Sequence, residues 1–299
     1  MNAAARLAGF AAVIAATFGG AMAVGAAVGP IDVGSDVPHQ AAGDTVEIPR
    51  GLAVAADRYR LAVEQTNLQN GADGPFSFRI LDDTGAPTTR FDELHERRLH
   101  LIVLSRNLVD YLHLHPMMDP SGRWTVDLPA LQPGSYRVFA DFQPSDGQNL
   151  TLGADVLVTG DVQAVELPEP ATVDSIDEYE ITLAGTPLVG TTELSFTVSV
   201  DGKPVRTDPY LGAAGHLVAI RSSDLAYLHV HPHEADTTPT VTFTGEFPTA
   251  GTYRLFLDFS HNDQVRTAAF TVVVPEQAEP ADQGDHVSNN DSPAHDERH

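Results

Sequence analysis

Two hexapeptides, Tyr111-Leu112-His113-Leu114-His115-Pro116 and Tyr227-Leu228-His229-Val230-His231-Pro232, stand 116 residues apart and are near-copies. A further histidine precedes each at the same distance, His100 in the first copy and His216 in the second. Side chains alternate along an extended strand, so both imidazoles of a His-x-His point to one face. Imidazole is the commonest protein ligand for metals and suits both zinc and copper. Leucine or valine would serve a core equally well at these positions. A triple whose spacing is kept in two otherwise diverged copies therefore points to ligation. The competing reading is a set of buried histidines hydrogen-bonded to backbone or to Asp141 and Asp258.

The donor set is limited by what the chain lacks. There is no cysteine, which excludes disulfides, thiolate zinc sites and a blue-copper thiolate. Any site must use His, Asp, Glu or Met. His233 extends the second motif to His-x-His-Pro-His, and Met117 and Met118 follow the first, where thioethers could serve Cu(I) or simply pack a loop.

The elements that must position these residues are strands. One turn-and-strand segment occurs twice, as Pro133-Gly134-Ser135-Tyr136-Arg137-Val138-Phe139-Ala140-Asp141-Phe142 and as Ala250-Gly251-Thr252-Tyr253-Arg254-Leu255-Phe256-Leu257-Asp258-Phe259. Phe76-Ser77-Phe78 matches Leu194-Ser195-Phe196, and Gly85-Ala86-Pro87 matches Gly202-Lys203-Pro204. The alignment drifts only slightly in offset, as expected if insertions fall in turns. Each copy reads as seven short Val-, Thr- and aromatic-rich strands separated by Gly, Pro and Asp turns. No sustained helical periodicity follows residue 30. The expected fold class is all-β: two tandem immunoglobulin-like β-sandwich domains after an N-terminal hydrophobic helix, with a disordered acidic tail. The expected segments are 1–30 signal anchor or signal peptide, 31–55 linker, 56–160 first sandwich, 161–177 linker, 178–275 second sandwich and 276–299 tail.

Within that fold the third and fourth strands of each copy form a hairpin. It brings His100 opposite His115 and His216 opposite His229 or a neighbour, since opposed residues lie about 5 Å apart. The third strand also pairs with the sixth, which brings His100 to Asp141 and His216 to Asp258, Phe259 and His261. The expectation is two clusters, one per copy. His100, His113, His115 and Asp141 form the first. His216, His229, His231, His233, Asp258 and His261 form the second. Copper or zinc is the expected ion.

The stretch Gly215-His216-Leu217-Val218 … Asp224-Leu225-Ala226-Tyr227-Leu228-His229-Val230-His231-Pro232 resembles a group of uncharacterised exported bacterial proteins with a duplicated His … Tyr-Leu-His-x-His-Pro motif, often in metal-related contexts. The likeness covers both copies and is specific in the histidine hairpins. It implies a surface or periplasm-like metal-handling role.

Leu7 to Val28 is an uncharged apolar run of 22 residues, long enough for a membrane helix. Ala21-Met22-Ala23 also fits a signal-peptide cleavage pattern. Anchor or cleaved signal, either places the remaining chain outside the cytoplasmic membrane, bound through the N-terminal helix or secreted. The tail carries His286, His295 and His299 among acidic residues and reads as solvated and disordered, or as a weak cation collector. A formal net charge of −24 argues against nucleic-acid binding. No Gly-x-Ser-x-Gly, His-Glu-x-x-His or phosphate-cradling glycine loop occurs, so no enzymatic activity is expected. The sequence therefore reads as an extracytoplasmic protein for copper or zinc sequestration, delivery or sensing. The alternative is a structural or adhesive tandem β-sandwich ectodomain without metal.

Overall fold

A computed structural model describes residues 48–228, 230–233 and 239–276. The apolar N-terminal run, the acidic tail and His229 lie outside the described residues. The described chain is all strand and turn, two sandwiches in tandem, and none of it is a helix long and apolar enough to cross a membrane.

In the first sandwich one sheet runs in the order Ala55–Ala56, Tyr59–Val63, Gly74–Leu81, Arg123–Leu128, Met117–Met118. The other runs Asn67–Gln69, Leu150–Thr159, Gly134–Pro144, Leu99–Ser105, Tyr111–Leu114. The second sandwich repeats this plan. One sheet is Val173–Ile176, Tyr179–Ala184, Gly190–Val200, Thr240–Phe247, Val230–Pro232, and the other is Tyr227–Leu228, His216–Arg221, Gly251–His261, Gln264–Val274. Both repeats carry a tyrosine corner: Tyr136 donates to the Gln132 carbonyl (3.0 Å) and Tyr253 to the Thr249 carbonyl (2.8 Å).

Two segments expected as linkers join the sheets. Val173–Ile176 pairs along Tyr179–Ala184, so the second sandwich begins before residue 178. Ahead of Ala55–Ala56, the Gly51 amide donates to Thr151 and the Gly153 amide to Ala53. Backbone donors and acceptors at a sheet edge are satisfied most cheaply by adjacent chain.

Each sandwich has its own core. Phe76, Phe78, Trp124, Val138 and Leu152 fill the first, and Ile181, Phe196, Phe243, Leu255 and Phe270 the second. A third core lies between the repeats: Ile102, Leu104, Leu108 and Phe139 pack against Val218, Ile220, Leu225, Tyr227 and Phe256. The strand Leu99–Ser105 is therefore buried along its whole length. Leu101 and Val103 face their own sandwich, while Ile102 and Leu104 face the other repeat. Leu217 and Ala219 alternate in the same way with Val218 and Ile220. Across the junction Tyr111 stacks on Phe256 with ring centres 4.1 Å apart, and Arg254 Nε donates to the Leu108 carbonyl (3.2 Å). Full burial of such side chains contributes about 1.5–3 kcal/mol each, so docking of the repeats does not depend on the histidines.

Candidate metal centre

The period-two alternation that sends Ile102 and Leu104 to the junction sends His100 there as well, and the parity of Val218 and Ile220 does the same for His216. Hairpin pairing in the first repeat matches Leu101 with Leu114 and Ile102 with His113, the register that sets His100 across from His115. The third-to-sixth strand pairing matches His100 with Asp141 and His216 with Asp258. These registers agree with the sequence expectation. The two-cluster arrangement does not follow from them. The junction joins the first repeat's histidines to His216 of the second, and among the described residues the donor nitrogens of His100, His113 and His216 lie within 4.8 Å of one another.

Ring centres are 5.2 Å apart for His100 and His113, 5.3 Å for His100 and His216, and 4.6 Å for His113 and His216. His115 stands 4.8 Å from His113 and 5.2 Å from His100. Metal–nitrogen bonds of about 2.0–2.1 Å place the ring centres of imidazoles sharing one ion roughly 5 Å apart.

The hydrogen bonds orient the rings. His100 Nε2 is 2.9 Å from the Leu94 carbonyl, which only accepts, so Nε2 carries the proton and Nδ1 of the neutral ring is a lone pair. His113 Nδ1 is 2.7 Å from Asp258 Oδ2 and donates its proton to that carboxylate. His100 Nδ1 and His113 Nε2 face each other at 3.0 Å. A proton on His113 Nε2, or a cation shared by the two nitrogens, satisfies that contact. His216 Nδ1 and His115 Nε2 are both buried without a hydrogen-bond partner, a condition that costs about 1–3 kcal/mol per group when nothing compensates it.

Burial is the first cause of the lowered values of His100, His115 and His216. It draws His100 down to about 4, helped by the charge of His113 and opposed by the Leu94 carbonyl. Burial, then His113 and His100, draws His115 to about 3. Burial followed by the same neighbours takes His216 well below its ordinary value. Neutral imidazoles are the form that binds metal.

Asp258 is buried and takes Thr267 Oγ1 on Oδ1 (2.6 Å) and the Tyr111 hydroxyl on Oδ2 (3.1 Å) beside His113. Sequence spacing makes it a ligand of the His216 cluster. It sits instead behind His113 of the other repeat, as a carboxylate that orients that imidazole. Asp141, by spacing a ligand of the first cluster, is held instead by Asn149 Nδ2 and Thr151 Oγ1, each at 3.0 Å.

The described members of the second cluster do not assemble there, because its fourth strand crosses between sheets early. After Leu228, paired with Ala219, the chain moves to the opposite sheet, where Val230 pairs with Gly245 and His231 with Thr244. His231 is thereby exposed on that sheet, and the exposed His233 bonds Thr244 Oγ1 through Nε2 (2.7 Å). The first repeat delays this crossing to Met117, paired with Thr125, which leaves His115 at the junction. His261 lies apart, its Nδ1 2.8 Å from the Tyr179 hydroxyl. Met117 is 76% exposed and Met118 pairs with Trp124, so neither methionine belongs to the trio.

Sequence reasoning missed His95. Its ring centre lies 6.1 Å from His100 and 5.7 Å from His216. The repeat comparison hides it, since Leu211 occupies the equivalent place 116 residues on. Its nearness to His100 in sequence was the available signal.

No curated protein sequence matches the chain. Among solved structures, the Escherichia coli adhesin FdeC is similar at 15% identity and a TM-score of 0.25, over 75% of this chain and 66% of that one. InvD of Yersinia pseudotuberculosis is similar at 14% identity and a TM-score of 0.24, over 74% of this chain and 60% of that one. The tandem Ig repeats of Dlar are similar at 8% identity and a TM-score of 0.21, over 74% of this chain and 99% of that one. The chain thus spans slightly under two thirds of the adhesin and of InvD. One sequence family matches twice, over residues 53–160 and 171–276, in step with the two sandwiches, and the chain belongs to it: the family described as Domain of unknown function (DUF8832).

Proposed function

We propose that this is an extracytoplasmic metal-binding protein that holds one copper or zinc ion at the junction of its two repeats, for sequestration, delivery or sensing. The observation that carries the reading is the convergence of the His100, His113 and His216 nitrogens within 4.8 Å of one another, with His216 Nδ1 buried and without a hydrogen-bond partner. The Leu94 carbonyl sets the His100 tautomer, and Asp258 accepts from His113 Nδ1. His100, His113 and His216 would hold the ion, and the buried, unpartnered His115 Nε2 makes that residue a fourth donor. An all-imidazole set without thioether favours Zn(II) or Cu(II) over Cu(I). A bound ion would stand between the facing nitrogens and give His216 Nδ1 its partner. The repeats would contribute position: the first brings two or three ligands, and the second brings His216 and the orienting carboxylate.

The test is metal content of untagged protein after equimolar loading with Zn(II) or Cu(II) and desalting. One equivalent per chain is expected, lost in His216→Ala and in His113→Ala. Retention of none sinks the reading, and two equivalents would restore a separate site in each repeat. The second reading, a structural or adhesive tandem ectodomain, has the inter-repeat core in its favour. It predicts no metal uptake and a lowered melting temperature as the sole effect of those variants.

A further inference from the structure

The trio is closed to solvent. His100 is 0% exposed, His216 9%, and the His113 side chain 3%. A hydrated divalent cation must exchange its waters for nitrogens one at a time, so a buried set of this kind needs a first ligand that solvent can reach.

His95 has that position. It is exposed, and its ring stands across both His100 and His216, at interplanar angles of 66° and 76°. Its ring-centre distances of 5.7 and 6.1 Å to those two residues are about 1 Å longer than the spacing of imidazoles on one ion. A small shift of its turn would bring it onto an ion shared with the trio. His95 sits in a tight two-residue turn. Leu94 and Arg97 exchange backbone hydrogen bonds at 2.8 and 3.0 Å, and His95 and Glu96 between them both adopt positive φ, 49° and 61°. The same turn recurs in the second repeat as Tyr210 to Ala213, with Leu211 and Gly212 at φ 55° and 78°. There the equivalent side chain, Leu211, is apolar and buried. A Cβ on Gly212 would lie 3.8 Å from Glu96 Cγ, so the two turns lie against each other. One is closed by leucine, and the other presents an imidazole to solvent. The Leu94 carbonyl of that same turn is the acceptor that fixes the His100 tautomer, which ties the entry turn directly to a ligand.

We infer that His95 is the entry ligand of the site, an exposed imidazole that captures a divalent transition-metal cation and hands it to His100 and His216. This rests on the metal reading above, and the test separates the two. His95→Asn is the variant of choice, because asparagine tolerates the left-handed conformation and lacks the imidazole. Wild type and variant are loaded with Zn(II), and the rates of uptake and of loss to excess chromogenic chelator are followed by stopped flow. The variant is expected to hold one equivalent like wild type while exchanging at least about tenfold more slowly in both directions. Rates within twofold of wild type overturn the entry role. Loss of the bound equivalent also overturns it, by making His95 a permanent ligand. Failure of wild type to bind Zn(II) at all removes the metal site itself and this inference with it.

Discussion

Asp258→Asn probes the charge behind His113 with little disturbance to the fold. Asp258 is 1% exposed and accepts three bonds, two on Oδ2 from Tyr111 and His113 and one on Oδ1 from Thr267. Asparagine can place its carbonyl where Oδ2 stands and turn its amide to the Thr267 hydroxyl, which rotates to accept. Packing and the hydrogen-bond count are kept, and only the negative charge behind His113 is lost. Removing a partner of this kind costs about 10–100-fold in metal affinity, or about 1.4–2.7 kcal/mol. At saturating metal that loss appears directly as reduced ligand stabilisation. A folded unit of this size shifts its melting temperature by about 2–4 °C per kcal/mol. The gap between Zn(II)-loaded and chelator-treated melting temperatures should therefore shrink by about 3–10 °C, while the chelator-treated value stays within a few degrees of wild type. Competition titration with a chelator of known affinity gives the same quantity independently. An affinity within twofold of wild type would refute the argument that the Asp258 charge strengthens His113 as a ligand. A large fall in the chelator-treated melting temperature would show that Asp258 serves the fold instead.

The histidines also make the metal-free protein sensitive to acid. His100 titrates near 4 when folded, against an ordinary value of 6.5, so the unfolded chain binds its proton first. Stability is then level above pH 6.5, falls between 6.5 and 4, and levels again below, with about 2 kcal/mol gone by about pH 5 from this group. Urea unfolding in chelator should show that slope, and His100→Leu should flatten it. Phe256→Ala, which empties a buried position stacked on Tyr111 at the junction, should cost about 3–5 kcal/mol and split the calorimetric transition into two. His261→Ala should leave metal stoichiometry and affinity unchanged, because its side chain is bonded to Tyr179 away from the trio. His115→Ala should weaken binding without abolishing it, since the trio is intact.

The strands, their turns and the duplication were all legible along the chain, because alternation and turn chemistry are local. So were the pairings of His100 with Asp141 and of His216 with Asp258, since a hairpin and a sandwich topology fix register from sequence spacing alone. The docking of one repeat on the other was decided by tertiary structure. Its trace was present in Leu99-His100-Leu101-Ile102-Val103-Leu104 and His216-Leu217-Val218-Ala219-Ile220, strands too apolar to keep one face in water. Nothing local says what covers the second face. Burial of Ile102, Leu104, Val218, Ile220 and Phe256 against one another answers that, and it carries His113 of one repeat to Asp258 of the other. The point at which each fourth strand leaves its sheet was equally hidden. That choice rests on competition between two partner strands, and it keeps His115 at the junction while sending His231 to the far sheet. The sequence by itself determined where the histidines stand along their strands; the packing of two cores against each other determined that, among the described residues, three of them meet between the repeats.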